Sequence, residues 1–224
     1  MTRTFKALLR MLILGAVGGI IGGSLAANRR QIAHTLFQIP PAMLAAIALI
    51  CLFSIYWDAA AKNTAPAQSS ESPWSRRFHL IVLNLSVLLL ILPIPGLTRR
   101  FLPTRPILEA LGLAIEIAGI AFAIWARRHL GANWSGEVRI ATGHQLVRTG
   151  PYQYLRHPIY TGVLAMYLGA MLVSGQLHAL IAMAVIALAY LRKLRLEEKI
   201  LSQNFGPAFD DYRRHSWALL PPLL

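Results

Sequence analysis

The chain has 224 residues, 56% of them apolar and only 14% charged, with a mean hydropathy of +0.52 and a formal net charge of +13. That balance excludes an ordinary soluble domain and reads as a membrane protein. The basic residues stand in short groups at the ends of apolar runs, as topology signals and lipid contacts do, so no nucleic-acid partner is expected.

Cys51, the single cysteine, lies inside an apolar run and is read as a packing residue. It excludes an intramolecular disulfide and a thiolate metal cluster.

The first apolar run, Ala7 to Ala27, is flanked by Arg3, Lys6 and Arg10 before it and Arg29 and Arg30 after it. A cleavable signal fits the basic start. A retained helix fits better, because Gly15, Gly19 and Gly23 recur every four residues and would let a second helix approach closely. The second run, Pro40 to Ala61, opens on two prolines and ends near Tyr56 and Trp57, which suit the membrane interface. Residues 62–75 are rich in Ala, Ser, Pro and Asn and read as a loop.

Phe78 to Ile94 is the third run, followed by the basic loop Arg99 to Arg105. The fourth, Pro106 to Ala126, is apolar apart from Glu109 and Glu116, which share one helical face. A carboxylate in mid-bilayer must face protein or water, so Glu116 is either a functional group or a protonated or hydrogen-bonded packing residue. The interval from Arg127 to Arg156 is the longest polar stretch.

Pro158 to Ser174 and His178 to Leu191 are then two short apolar runs joined by Ser174-Gly175-Gln176, the signature of a tight helical hairpin. Such a hairpin returns Arg192, Lys193, Glu197 and Glu198 to the level of Tyr152 to Tyr160. The tail from Leu196 alternates charged and aromatic residues and reads as an amphipathic cap on the interface. With six spanning runs and the amino terminus inside, only Arg29, Arg30, Arg99, Arg100 and Arg105 of the 22 basic residues fall outside. The positive-inside rule then places both termini and the segment around His157 in the cytoplasm. The fold expected is all-α: a polytopic membrane bundle of about six helices with a carboxy-terminal hairpin and a cytoplasmic cap.

The densest chemistry lies at Gly150-Pro-Tyr-Gln-Tyr-Leu-Arg-His-Pro-Ile-Tyr-Thr-Gly162. Pro151 and Pro158 fix backbone angles, Tyr152, Tyr154 and Tyr160 offer rings with hydroxyls, and Arg156 and His157 set a fixed charge beside a titratable ring. Arg156 could equally anchor lipid head groups. Together with Glu197 and Glu198 the stretch suits a polar, zwitterionic ligand. The scattered histidines offer no paired metal-ligand spacing, so no metal is expected.

The blocks His144-Gln-Leu-Val-Arg-Thr-Gly-Pro-Tyr152, Arg156-His-Pro-x-Tyr160-x-Gly162, Glu197-Glu198 and Phe205-Gly206 with Tyr212 resemble the isoprenylcysteine carboxyl methyltransferase family and its phospholipid methyltransferase relatives. The resemblance covers about residues 125 to 222. It implies an integral membrane methyltransferase using S-adenosylmethionine, with residues 106–224 as catalytic core and residues 1–105 as transmembrane helices of unassigned role. It also implies that His144, Gln145, Leu146, Val147, Tyr152, His157, Pro158, Ile159 and Tyr160 line the cofactor site, closed by Glu197 and Glu198. Arg192 or Lys193 would face the acceptor, making Arg192 and Glu197 the catalytic candidates. The acceptor implied is lipophilic or prenylated, a carboxylate oxygen or an amine nitrogen, and membrane lipid is the other partner. An ionised carboxylate needs only orientation, whereas an amine must lose a proton, for which His157 or a Glu would serve.

Two other readings compete. Sterol-type reductases share Arg-His-Pro-x-Tyr but continue with an acidic residue where this chain has Val163, and they need a nicotinamide site. A non-enzymatic membrane scaffold would use the glycine face of the first run.

Overall fold

The computed structural model describes residues 40–61, 71–92, 94, 96–134 and 146–220. Residues 45–224 form one compact unit; of residues 1–44, only 40–44 are described. The first apolar run, with its glycine face, lies outside the described residues, as do His144 and Gln145.

The described residues form six α-helices: α1 (Pro41–Ala61), α2 (Pro73–Ile91), α3 (Pro106–Leu130), α4 (Pro158–Ser174), α5 (Leu177–Phe205) and α6 (Pro207–Arg214). Helices α1, α2, α3 and α5 are long and apolar enough to cross a membrane; α4 is apolar but has 17 residues. The all-α reading holds, and five of the six apolar runs are helices.

Each start has a local cause. Proline occupies the first turn of α1, α2, α3, α4 and α6, where its missing N–H costs nothing. Helix α2 begins at Pro73, five residues before its apolar run, because the Ser72 hydroxyl accepts from the Ser75 amide. The stretch read as a loop over residues 62–75 therefore ends at Ser72, three residues earlier. Helix α3 runs on to Leu130 through Arg127, Arg128 and His129, which suit the negative end of a helix dipole. Gly175, in the left-handed conformation at φ 60°, stops α4 and turns the chain into α5.

Helices α3 and α4 are antiparallel, and glycines set their separation. A methyl group on Gly162 would stand 2.6 Å from the Gly119 carbonyl oxygen, and one on Gly119 would stand 2.6 Å from the Gly162 oxygen. Gly112 and Gly169 meet in the same way one heptad along. This close approach replaces the hydrophobic drive that lipid does not supply. Beside it, Glu116 is fully buried and neither carboxylate oxygen has a hydrogen-bond partner. Of the roles open to Glu116, the hydrogen-bonded packing residue is not found, which leaves a functional group or a protonated packing residue.

Helix α2 packs along α5, and its inward stripe carries His79, Ser86 and Leu90. Ser86 Oγ and the Tyr167 hydroxyl lie 2.8 Å apart inside the bundle, tying α2 to α4. Cys51 is exposed on α1 instead of packed inside. At the α4–α5 turn, the loop after α2 adds backbone bonds from Phe101 to Gly175, Leu177 to Arg99 and His178 to Leu97. The opposite end of the hairpin carries the candidate site residues.

Candidate active site

The site is assembled where α4 begins. Gly150, at φ 58°, lets a short helical turn, Gly150–Gln153, bury Tyr152; a side chain at Gly150 would collide with the His129 ring. The chain then turns through Arg156 and His157 into Pro158, which opens α4. Helix α5 runs unbroken through 29 residues, well past its apolar part, and brings Glu197 and Glu198 alongside.

The Tyr160 hydroxyl donates to Glu197 Oε1 at 2.6 Å, and Arg156 Nε donates to Glu198 Oε1 at 2.6 Å. The His157 ring lies between the carboxylates, with Nδ1 3.4 Å from Glu197 Oε2 and Nε2 3.4 Å from Glu198 Oε1. It stacks on Tyr160 at 5.3 Å with planes 4° apart. The Arg156 side chain is only 6% exposed, which makes its pair with Glu198 an internal one and excludes a role as a free head-group anchor.

Burial works against the charged imidazole of His157, yet the neighbouring Glu197 and Glu198 outweigh it and raise its pKa above the ordinary histidine value. Burial first, then Glu197, pushes the Tyr152 phenol well above its usual range, so it is a hydrogen-bond donor at any physiological pH.

In this cluster the buried Tyr152 hydroxyl has no hydrogen-bond partner, and the buried His157 Nε2 makes no hydrogen bond beyond its 3.4 Å ion-pair contact with Glu198. Unpaired buried polar atoms are costly, and they mark where a polar ligand would bind. A sulfonium with an α-amino and a carboxylate group matches this set: two carboxylates and stacked aromatic faces for the cations, a phenol and an imidazole for the anion. The residues present therefore fit S-adenosylmethionine.

The tail closes the cluster from outside. The Arg156 amide donates to Trp217 O, the His157 amide to Ala218 O, and the Trp217 amide to Tyr154 O. The Tyr212 hydroxyl, its pKa raised to about 12 chiefly by burial, donates to Tyr152 O at 2.6 Å, and the Arg156 guanidinium donates to the Ser216 and Arg213 carbonyls. The cap expected on the interface is thus a strap bound to the site. Sequence reading missed this role, because its acceptors are main-chain carbonyls that leave no residue signature.

Of the residues singled out in the sequence, Tyr152, His157, Pro158, Ile159, Tyr160, Glu197 and Glu198 come together, all buried or nearly so. Leu146 and Val147 lead into the Gly150 turn, and Val147 packs on the core. Lys193 is buried one turn before Glu197 and acts on it electrostatically. Arg192 is directed elsewhere: it donates to Ser75 Oγ at 2.7 Å and lies over the Phe78 ring at 5.2 Å, on α2.

Comparison with known proteins agrees with this geometry. Residues 107–208 match the family model described as phospholipid methyltransferase. The chain is 36% identical over 124 residues to a nickel-cobalt-cadmium resistance protein of Alcaligenes xylosoxydans xylosoxydans, covering 52% of this chain and 53% of that one. It is 34% identical over 122 residues to a cobalt-zinc-cadmium resistance protein of Cupriavidus metallidurans, covering 53% and 51%. The chain thus spans about half the length of these relatives. Its fold is that of the eukaryotic intramembrane Ras methyltransferase, isoprenylcysteine carboxyl methyltransferase, with a TM-score of 0.58 at 18% identity over 100% of this chain and 88% of that one. From α3 through the start of α6, the stretch that holds the glycine contact and the carboxylate–imidazole cluster, this chain matches the phospholipid methyltransferase family model.

Proposed function

We propose that the chain is an integral membrane methyltransferase that uses S-adenosylmethionine to methylate an oxygen or nitrogen of a lipophilic acceptor. The observation that carries the reading is the buried cluster of His157, Tyr160, Glu197 and Glu198, with the Tyr152 O–H left without a hydrogen-bond partner beside it, inside the segment that matches the family model. In this reading the catalytic core is residues 106–224, and the distribution of positive charge in the sequence supports a cytoplasmic face for the cluster.

In this reading Glu197 and Glu198 hold the cationic end of the cofactor, and Tyr152, His157 and Tyr160 hold and orient its remaining polar groups. Leu146 and Val147 extend that wall, and the family resemblance adds His144 and Gln145 to the cofactor-binding residues. The bound cofactor supplies an electrophilic methyl group on a sulfonium, which a nucleophile displaces without a metal or a covalent enzyme intermediate. What the protein contributes is alignment and the exclusion of water. Arg192 and Lys193 receive the acceptor, which requires Arg192 to leave Ser75. The resistance roles in the relatives' names belong to those proteins; among the described residues no group of three His, Cys, Asp or Glu side chains is placed to hold a metal.

The test is equilibrium binding of S-adenosylmethionine to detergent-purified protein, with NADPH as the competing ligand. Binding is expected for the former alone. Loss of one charge-assisted hydrogen bond, about 1.5–3 kcal/mol, weakens it about 10- to 150-fold in E197Q. NADPH binding, or equal S-adenosylmethionine affinity in wild type, H157A and E197Q, would overturn the proposal.

A further inference from the structure

His79 stands outside residues 107–208, on the inward stripe of α2, and is buried. An imidazole inside a membrane-spanning helix is expensive where Leu would pack as well, so its position asks for a chemical reason. Its ring meets Tyr190 edge to face at 5.7 Å; Tyr190 packs on Tyr160 at 4.5 Å, and Tyr160 stacks on His157 at 5.3 Å. His79 is thus one end of a four-ring column whose other end is the carboxylate cluster. The charged groups that face it are Lys193, Glu197 and Arg192, all from α5. These are the residues between which the proposed acceptor would enter. Neither His157, held between two carboxylates, nor Glu197, engaged by Tyr160, offers a free basic site on that side.

We propose that His79 is the base of the acceptor half of the site, and that the acceptor's nucleophilic atom carries a proton, as in an amine, hydroxyl or thiol. The inference rests on the methyltransferase reading and deepens it. In the transfer, a bond forms between the acceptor atom and the methyl carbon, and the sulfur–carbon bond breaks with its electron pair going to sulfur. The acceptor's proton passes to the neutral imidazole of His79. Helix α2 then supplies part of the reaction chemistry, whereas the family-matched segment supplies cofactor binding.

The test uses full-length protein in bicelles with 13C-labelled histidine. The His79 resonance is assigned by its absence in H79Q or H79F, whichever folds. Phosphatidylethanolamine, whose nitrogen carries protons, is expected to shift this resonance; phosphatidylcholine, whose nitrogen carries none, is expected to leave it in place. Turnover with labelled S-adenosylmethionine and phosphatidylethanolamine should fall about 100-fold in H79Q and lose its rise with pH, the loss typical of removing a general base. Cofactor affinity should stay within about twofold, since His79 does not touch that cluster. A resonance indifferent to phosphatidylethanolamine, or wild-type turnover and pH profile in H79Q, overturns the inference while leaving cofactor binding standing. Absence of S-adenosylmethionine binding in the wild type overturns the parent reading together with it.

Discussion

Replacing Gly162 by Ala tests the packing that fixes the start of α4. The added methyl would stand 2.6 Å from Gly119 O and 2.7 Å from Ala123 N, both main-chain atoms that cannot rotate away. Restoring an ordinary contact of about 3.4 Å requires α3 and α4 to part by about 0.8 Å along their closest stretch. Overpacking of this kind costs about 1–3 kcal/mol, and the rigid partner puts Gly162 in the upper half of that range. Helix propensity returns roughly 1 kcal/mol of it. The net loss is therefore about 1–2 kcal/mol, or about 2–8 °C in Tm for a unit of this size. Thermal unfolding in detergent reads it directly. G119A attacks the same contact, so the double variant should lose less than the sum of the singles, as coupled sites do. A G162A protein as stable as wild type, or strict additivity with G119A, would refute the close-approach argument.

Three further outcomes follow from the site. Arg156→Met strands Glu198 and releases the Ser216 and Arg213 carbonyls, so it should cost about 3–5 kcal/mol, and E198Q added to it should restore part of that loss in the same melting assay. Because the folded pKa of His157 is raised, its contribution to stability is complete below about pH 6.5 and is lost as pH rises through the folded value. A melting series across that range should show the loss in wild type and a flatter profile in H157Q. Tyr160→Phe removes only the donor to Glu197; it should lower S-adenosylmethionine affinity about tenfold or more in a calorimetric titration and leave the helical circular dichroism unchanged.

Helix identity was legible where local rules act alone. Proline after His157 and glycine after Ser174 gave α4 its observed bounds from sequence. The apolar run of α5 ends at Leu191, and the extension expected through the Arg192 segment is carried on to Phe205. The helix continues because Lys, Arg, Leu and Glu are all good helix formers and the amphipathic turn through Glu197 packs on the site. The Tyr152, His157, Tyr160 and Glu197–Glu198 grouping was visible because the hairpin has only one way to return. The glycine contact of α3 with α4 was not, since it depends on which helices are neighbours and in what register. Arg192 facing α2 was equally hidden: two adjacent cations on a helix point about 100° apart, and only tertiary packing decides which one turns toward the carboxylates.

Helix α5 also works as a ruler. From Gln176, pinned at the far turn by the loop after α2, to Glu197 is 21 residues, about 32 Å of rigid helix and close to the thickness of a bilayer's hydrocarbon core. The depth of the carboxylates is therefore set by residue count along one uninterrupted element. A single residue inserted between those points would lift Glu197 by only about 1.5 Å but turn it about 100° away from Tyr160, so the site tolerates small errors of height and none of phase.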